Sequence, residues 1–500
     1  MTRPWLIVVA LVLIPIAVYW PTVSHEYGFR DDYAHLREVR EVPGWLTELT
    51  SSNGRPVYGY VLEASLKSVQ TVADLSLLRL VSTLLFSIVG LLLWTHLRRS
   101  GWSNLEAAVI GAAVTLLPGV QVVAGWAIAW PIALGLVAAV AGFALVDRGL
   151  SQKGWQRVGV VFAGGLLYFI AGLTYQTCAL FAVMPLAAVL LMRKTTEIRD
   201  DAWWVTVHIG VLFVSLFSGW LLMNAMFTTG AVLEAERMHF ESAPLSKLLW
   251  FAHNPLPNSL ALFALRDDFA TPVSFYLVLA AVLLVIVLGF FYGAKDTSQR
   301  RRWLFAALAL PFVAHSVSLA ASSQAIGYRT LLPLSGLFLV LAMFGLRALM
   351  ARFNLRQAVK TTIFSGVLVI AAWQAQHNTF SLIAEPQGRE WQLVKSAAER
   401  LRFDADTQVF VVLPKIGDRS TERIYADEFG SLTSDAEWAA EEMFKTAIRE
   451  RFPAGLPQGA RYVLDTGSLP PGLSVDLILD MRRLKLQSTQ ALPTTAALRR

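Results

Sequence analysis

Apolar residues in this chain fall into long runs that are separated by short polar stretches. A helix needs about 20 consecutive apolar residues to cross the ~30 Å hydrocarbon core of a bilayer. The runs that approach this length predict about eleven transmembrane helices, and therefore an α-helical, multi-spanning membrane protein. They lie at 4–20, 75–96, 105–123, 127–146, 158–174, 177–192, 204–226, 271–292, 304–322, 331–349 and 361–376.

The connections between these runs differ in charge. With the N-terminus in the cytoplasm, every cytoplasmic connection is short and basic, whereas the short connections on the other side hold one basic residue, Arg329. This asymmetry predicts a cytoplasmic N-terminus and three long outer segments, at 21–74, 227–270 and 377–500. Cleavage of the first run as a signal peptide near Ser24 is the alternative, and it also leaves the following segment outside.

The last outer segment has the composition of a soluble domain. Its charge content rises and its apolar runs shorten, which predicts a small α/β domain outside the membrane. Its predicted helices and strands lie at 388–402, 408–413, 434–450, 461–464 and 475–480. We therefore expect a transmembrane catalytic module at 1–380, a soluble domain at 381–486 and a flexible tail at 487–500.

Composition agrees with a membrane protein. Hydrophobic residues make up 55% of the chain and charged residues 16%, where a soluble protein carries about 25% charged residues. The net charge of +7 is concentrated in the short connections, so it sets orientation and does not indicate a nucleic-acid partner. The single cysteine, Cys178, excludes a disulfide within the chain.

The first outer segment contains the most informative acids. Asp31 and Asp32 follow the first run by about ten residues, in a chain whose spans contain almost no Asp or Glu. Adjacent carboxylates at this place can hold a divalent cation, or one of them can act as a base toward a hydroxyl. The alternative is an ordinary solvated acid pair with Arg30 as its ion-pair partner.

Two outer arginines could bind phosphate. Arg55, in Asn53-Gly54-Arg55-Pro56, would begin a helix, where the helix dipole disfavours a cation. Arg329 breaks the charge asymmetry of the connections, and arginine matches phosphate geometry with a planar fork. The alternatives are anchoring to lipid phosphates for Arg55 and snorkelling to the membrane interface for Arg329.

Tyr175 and Gln176 form a turn between two predicted spans on the outer side. A glutamine at membrane depth requires hydrogen-bond partners, so it marks either a functional site or a satisfied helix end.

With these residues assembled, the chain resembles the GT-C superfamily of membrane glycosyltransferases, and within it the bacterial O-antigen glucosyltransferase-like branch. The matching features are Asp31-Asp32 after the first span and Asn53-Gly54-Arg55-Pro56 downstream. Tyr175-Gln176 and Gly327-Tyr328-Arg329 match a Tyr-Gln step and an arginine that enters a late span. The resemblance covers about residues 1–380 and leaves the tail undefined.

The resemblance implies an inverting transfer of a sugar from a polyprenyl-phosphate carrier, at the outer face of a bacterial inner membrane. Asp31 would act as base, and Asp32 would assist it or hold Mg or Mn with it. Arg55 and Arg329 would neutralise the departing phosphate, and Asn53, Tyr175, Gln176 and Tyr328 would complete the substrate site. The acceptor would be O-antigen, another envelope glycan or a protein.

Two other classes of function compete with this interpretation. A transporter or flippase of lipid-linked glycans would show repeated halves, interrupted spans and charges within the membrane, and the sequence shows none of these clearly. An anchored sensor that uses the tail as a binding module would need fewer spans.

Overall fold

The computed structural model describes residues 4–235, 238–268, 271–324, 326–403, 406–414, 425, 428–468, 472 and 474–482. The predicted flexible tail at 487–500 lies outside these residues.

Eight helices of the described chain are long and apolar enough to cross a membrane. The count is nine when the bent pair Asn104–Val114 and Pro118–Gly125 is taken as one span. The prediction of an α-helical, multi-spanning protein is therefore confirmed. The eight helices are Pro4–Ser24, Leu75–Arg99, Ala127–Leu150, Gly154–Thr174, Ile198–Thr228, Val273–Gly293, Tyr328–Arg352 and Gln357–Arg400.

The difference from the predicted eleven spans comes from three apolar runs that fold as broken helices. The first bends by 52° before Pro118, where Leu117 adopts an extended ψ of 148°. Proline lacks an N–H and disfavours helical geometry in the residue before it, so a break at this place is expected. The other pieces are Gln176–Leu180 and Val183–Met192, then Thr297–Leu304, the π-helical Phe305–Ala309, Leu310–Ala314 and Ser316–Ala320.

The first outer segment folds into three short helices, Asp31–Glu41, Trp45–Ser52 and Pro56–Leu66. Gly44 and Gly54 separate them with positive φ angles of 88° and 72°, which glycine adopts at little cost. The second outer segment contains the helices Pro244–His253 and Pro255–Leu260.

The predicted C-terminal α/β domain is present. Strands β1 (Thr407–Val412), β2 (Tyr462–Gly467) and β3 (Leu477–Asp480) form a parallel sheet in the order β2-β1-β3. The helices Glu385–Arg400 and Glu437–Arg451 accompany the sheet. The first of these continues from the last span through a π-helical segment, Phe380–Ala384, so the predicted boundary at residue 380 falls inside a continuous helical stretch.

The C-terminal domain packs directly on the first outer segment. Arg37 forms an ion pair with Glu442 at 2.7 Å, and the Thr446 hydroxyl donates a hydrogen bond to the Tyr33 carbonyl at 3.1 Å. The buried rings of Tyr33 and Trp391 lie 5.5 Å apart in the core that the two parts share. The two parts therefore pack together as one body at the same end of the helices.

Candidate functional site

Asp32 is fully buried at the start of the helix Asp31–Glu41. Its Oδ2 accepts a hydrogen bond from the Phe29 N–H at 2.8 Å, and its Oδ1 accepts one from the Ile128 N–H at 2.9 Å. Ile128 lies in the short helical turn Ala127–Ala129, which begins the span Ala127–Leu150. Asp32 therefore ties the first outer segment to the entrance of a transmembrane helix.

Arg79 is the buried cation beside Asp32. It belongs to the span Leu75–Arg99, is 0% exposed, and donates hydrogen bonds to the carbonyls of Thr22, Tyr27 and His25. Burial raises the pKa of the Asp32 carboxyl to about 6, although the N–H of Ile128, Arg79 and the N–H of Phe29 each oppose this shift. The sequence pattern missed Arg79, and its signal was an arginine inside an otherwise apolar run.

Asp31 has a different environment from its neighbour. It is partly exposed, and its side chain makes no hydrogen bond or ion pair with any residue that the structure describes. It lies close enough to Asp32 and to Tyr58 to act on both electrostatically. Asp31 therefore has oxygens available for a ligand, whereas both oxygens of Asp32 are occupied.

Arg55, Tyr175 and Gln176 come together in the structure. The Arg55 guanidinium lies over the Tyr175 ring at 4.1 Å, and its Nε donates to Gln176 Oε1 at 3.3 Å. Gln176 Nε2 donates in turn to the carbonyls of Gly54, at 3.0 Å, and Asn53, at 3.3 Å. The turn at Gly54 is thus fastened to the break between two membrane helices, and Arg55 is oriented by both.

Asn53 ends the helix Trp45–Ser52, and its Nδ2 donates to the Leu49 carbonyl at 2.8 Å. Its Oδ1 is buried without a hydrogen-bond partner in the described structure. A buried, unpaired acceptor is costly, which makes this oxygen a place for a hydroxyl of a ligand or a water molecule.

Tyr58 lies within electrostatic range of Asp31, Arg55 and Arg329. Its hydroxyl donates a hydrogen bond to the Ile128 carbonyl at 2.6 Å. Burial raises the pKa of this hydroxyl, while the nearby charges of Arg329 and Arg55 lower it and those of Tyr175 and Asp31 raise it. One tyrosine is therefore within electrostatic range of four of the predicted site residues, a relationship that sequence spacing did not reveal.

Arg329 contacts both the membrane helices and the C-terminal domain. Its guanidinium covers the Trp126 ring at 4.7 Å. It also forms an ion pair with Glu428 of the C-terminal domain, at 3.1 Å between Nη1 and Oε1. Glu428 was not predicted, because it lies about 100 residues away in a segment without a motif.

The Tyr328 side chain is buried and packs against the ring of Tyr425. Its hydroxyl accepts a hydrogen bond from the Arg266 N–H at 3.0 Å, and its ring contacts the Tyr425 ring with 4.2 Å between centroids. Its own N–H donates to Glu428 Oε2. Tyr328 thus holds the backbone from which Arg329 projects.

The aspartate pair does not form a ready-made metal site. Asp32 is 0% exposed and each of its carboxylate oxygens already accepts a backbone hydrogen bond, whereas Asp31 is partly exposed and is the more accessible of the two acids to an ion. Among the described residues, no group of three or more His, Cys, Asp or Glu side chains has the arrangement that holds a metal. A divalent ion at this place would need most of its ligands from a substrate.

No protein-family model matches the chain, and no curated protein sequence matches it either. Several solved structures are similar, and three of them are structures of one archaeal enzyme. The archaeal oligosaccharyltransferase AglB from Archaeoglobus fulgidus, in complex with an inhibitory peptide and a dolichol-phosphate, is 10% identical with a TM-score of 0.43, over 89% of this chain and 63% of that chain.

Two further structures of the Archaeoglobus fulgidus oligosaccharyltransferase have TM-scores of 0.45 at 10% identity. The match to the apo form covers 89% of this chain and 64% of that chain. The match to the complex with Zn and sulfate covers 93% of this chain and 62% of that chain. The chain thus spans less than two thirds of the length of these proteins. At this identity and these TM-scores, the likeness establishes neither a family nor an activity for the chain.

Proposed function

We propose that the chain is an integral membrane glycosyltransferase that moves a sugar from a polyprenyl-phosphate carrier to an acceptor at the outer face of the membrane. The observation that carries the proposal is the arrangement around Tyr58. Asp31, whose carboxylate makes no hydrogen bond or ion pair with a described residue, and two guanidinium groups, Arg55 and Arg329, all act electrostatically on this one side chain. A base and a phosphate-binding pair are the groups that such a transfer needs.

Asp31 is the proposed base. It accepts the proton of the acceptor group as the acceptor's oxygen or nitrogen forms a bond to the sugar's anomeric carbon. The bond between that carbon and the phosphate oxygen breaks at the same time, and its electron pair leaves on the phosphate. Attack from the side opposite the phosphate inverts the anomeric carbon. Asp32 supports this chemistry indirectly, because its hydrogen bonds hold the helix on which Asp31 lies.

Arg55 and Arg329 are the proposed phosphate ligands. Each lies against an aromatic ring, which fixes the plane of its guanidinium before a substrate arrives. Donors that are already oriented toward developing charge are each worth about 3 kcal/mol of transition-state stabilisation. Mg or Mn, where one takes part, would be held by Asp31 and by phosphate oxygens, and would supply further neutralisation of the phosphate.

The C-terminal domain is the proposed acceptor side of the reaction. That domain reaches the candidate site through Glu428 and packs on the first outer segment through Glu442. A periplasmic glycan or protein would approach along this surface, while the carrier lipid remains in the bilayer. The location that follows is a bacterial inner membrane, with the C-terminal domain in the periplasm.

The broken helices favour a second candidate, a transporter or flippase of lipid-linked glycans. Transporters build substrate sites from interrupted spans, and the described chain has such breaks before Pro118 and at His315. Charged groups also lie within spans, as Arg79 and Asp147 show. We rank this candidate second, because Asp31 and Arg55 lie in the first outer segment and Arg329 lies at the start of the span Tyr328–Arg352, away from the middle of the spans.

The test compares cell-envelope glycans and glycoproteins by mass in four strains. These are the wild type, a deletion, and the deletion complemented with Asp31→Asn or with Glu41→Gln. Glu41 lies on the same helix as Asp31, and its side chain is 45% exposed, so it is a matched acid away from the site. We expect one sugar to be missing from the deletion and the Asp31→Asn strain, and to be restored by Glu41→Gln.

If an Asp31→Asn protein that inserts into the membrane fully restored the missing sugar, Asp31 would not be the base. An unchanged glycan profile with lipid-linked sugar accumulating in one leaflet would establish the transporter instead. Membrane levels of each variant, measured on the same cells, separate loss of chemistry from loss of protein.

A further inference from the structure

A cavity lies at the end of the helices opposite the candidate site. The span Leu75–Arg99 connects the two places, because Arg79 contacts the buried site near its start and Arg99 lines the cavity at its end. Twenty helical residues separate these arginines, a rise of about 30 Å. The cavity is therefore on the other side of the hydrocarbon core from Asp31.

The cavity has a volume of about 850 Å³ and opens between the ends of three spans. Arg99 comes from Leu75–Arg99, Arg148 from Ala127–Leu150, and Trp203 from Ile198–Thr228. A space of this size accommodates a small polar headgroup rather than a single ion.

Two cations at its mouth lack a protein partner. Arg99 and Arg148 are exposed, and their side chains make no ion pair or hydrogen bond with any residue in the described part of the chain. Arg193 also lines the cavity, but it pairs with Asp201 at 2.9 Å, a carboxylate that also pairs with Arg302, and its guanidinium lies over the Trp204 ring at 4.8 Å. The mouth thus offers two available guanidinium groups to an anion.

The floor of the cavity is polar. Asp147 Oδ1 accepts a hydrogen bond from Trp204 Nε1 at 2.9 Å, and Asp147 Oδ2 lies 3.3 Å from His96 Nε2. His208 is 3% exposed, lies 3.7 Å from the same carboxylate and stacks on the Phe143 ring. Because the Asp147 carboxylate repels an anion, the anionic group of a ligand would lie at the mouth. Groups that donate hydrogen bonds would lie at the floor.

The rim of the cavity carries a tryptophan and a further acid. Trp203 is 61% exposed beside the mouth, and exposed tryptophans at helix ends occupy the headgroup level of a bilayer. Asp200 lines the same rim and can accept a hydrogen bond from a hydroxyl. These residues match the parts of an anionic phospholipid headgroup. The arginines suit its phosphate, the acids suit its hydroxyl groups, and the tryptophan suits the boundary with the lipid.

We propose that this cavity binds the phosphate-bearing headgroup of a membrane lipid, held by Arg99 and Arg148, at a site separate from the candidate catalytic site. The site does not depend on the proposed transfer reaction. Its ligand comes from the leaflet at the basic end of the helices, and its occupancy would brace the ends of the three spans.

The test measures lipid retention by native mass spectrometry, and thermal unfolding of the full chain in detergent, with added phosphatidylglycerol or phosphatidylcholine. We expect phosphatidylglycerol to remain bound and to raise the melting temperature, and phosphatidylcholine to do neither. The variant Arg99→Ala/Arg148→Ala should bind phosphatidylglycerol roughly 30-fold more weakly. Arg356→Ala is the matched control, because Arg356 is an exposed arginine of another connection.

Inorganic phosphate is the second arm. If inorganic phosphate raised the melting temperature and phosphatidylglycerol did not, the ligand of the cavity would be a soluble phosphate compound and not a lipid. Equal phosphatidylglycerol binding by the wild type and the double variant would overturn the site. The substituted arginines are exposed, so the double variant should fold; Arg99→Lys/Arg148→Lys, which keeps both charges, should restore most of the binding.

Discussion

Asp32 Oδ1 accepts a 2.9 Å hydrogen bond from the N–H of Ile128, which lies 96 residues further along the chain. The carbonyl of the same residue accepts the Tyr58 hydroxyl at 2.6 Å. The peptide groups of Ile128 therefore join the aspartate pair to the tyrosine at the centre of the candidate site. Two adjacent acids consequently have different tasks, since Asp32 holds this junction while Asp31 keeps its oxygens available.

The first prediction concerns Asp32→Asn and pH. The Asp32 pKa is about 6 in the folded chain against an ordinary 3.8, so the folded state binds this proton more tightly than the unfolded state. Its contribution to stability is therefore full below the ordinary value and is lost as the pH rises through 6, by about 3 kcal/mol. The asparagine of the variant cannot titrate. We expect the gap in melting temperature between wild type and variant to shrink from pH 4.5 to pH 7.5.

Asp31→Asn provides the comparison, because it removes a partly exposed acid that makes no hydrogen bond with the described residues. Its melting temperature should still fall as the pH rises, but at slightly lower pH than in the wild type, because the Asp31 charge raises the Asp32 pKa. Parallel curves for the wild type and Asp32→Asn would mean that Asp32 does not titrate in this range.

The second prediction concerns the pair Arg329 and Glu428. If Arg329 binds phosphate, Arg329→Gln should lower sugar transfer by about 100-fold, and Arg329→Lys by about tenfold because lysine keeps the charge without the planar fork. Glu428→Gln removes the resident anion that faces this guanidinium at 3.1 Å. We expect that variant to bind the lipid-linked donor more tightly, as a lower KM, and to melt at a lower temperature.

Arg347→Gln is the control for the arginine variants, because Arg347 pairs with Glu106 at 3.2 Å near the basic end of the helices. A loss of transfer in Arg347→Gln as large as that in Arg329→Gln would indicate a general loss of stability. A KM for Glu428→Gln at or above that of the wild type would show that Glu428 does not compete with the donor.

The helices and the C-terminal sheet could be predicted because their signals are local. Apolar runs and alternating strands need no knowledge of distant residues, and the sequence could therefore indicate β1 and its neighbouring helices. The different environments of Asp31 and Asp32 could not be predicted, because they depend on Ile128 and on Arg79 in another helix. Glu428 was missed for the same reason, since its partner lies about 100 residues away.

The third prediction separates backbone strain from crowding at two glycines. Gly44 and Gly54 both have positive φ, so alanine at either position costs about 1–2 kcal/mol. A Cβ at Gly44 would meet nothing within 4 Å, whereas one at Gly54 would lie 2.8 Å from Gln176 Nε2. Gly54→Ala should therefore displace Gln176 and reduce transfer, while Gly44→Ala lowers the melting temperature and leaves transfer intact.

Comparable transfer by the two glycine variants, at comparable protein levels, would show that the contact of Gln176 with the Gly54 turn is not required. The measurement is transfer rate per folded protein, with folded protein determined by gel filtration in detergent.

The last prediction concerns Arg79, which is 0% exposed and donates to three carbonyl groups. Arg79→Gln cannot reach all three carbonyls and removes the positive charge beside Asp32, so the melting temperature should fall well below that of Asp32→Asn. Because Arg79 lowers the Asp32 pKa, its loss should also move the pH dependence of stability to higher pH.

The double variant Arg79→Gln/Asp32→Asn tests whether the two charges act together. If they do, its loss of stability should be smaller than the sum of the two single losses, because the second substitution removes the carboxylate that the first left without its nearby cation. Chemical denaturation of the four proteins in detergent gives the coupling directly. Additive losses would mean that Arg79 stabilises the carbonyls of the first outer segment independently of Asp32. The Asp32 pKa would then be determined by burial and by the two backbone N–H groups.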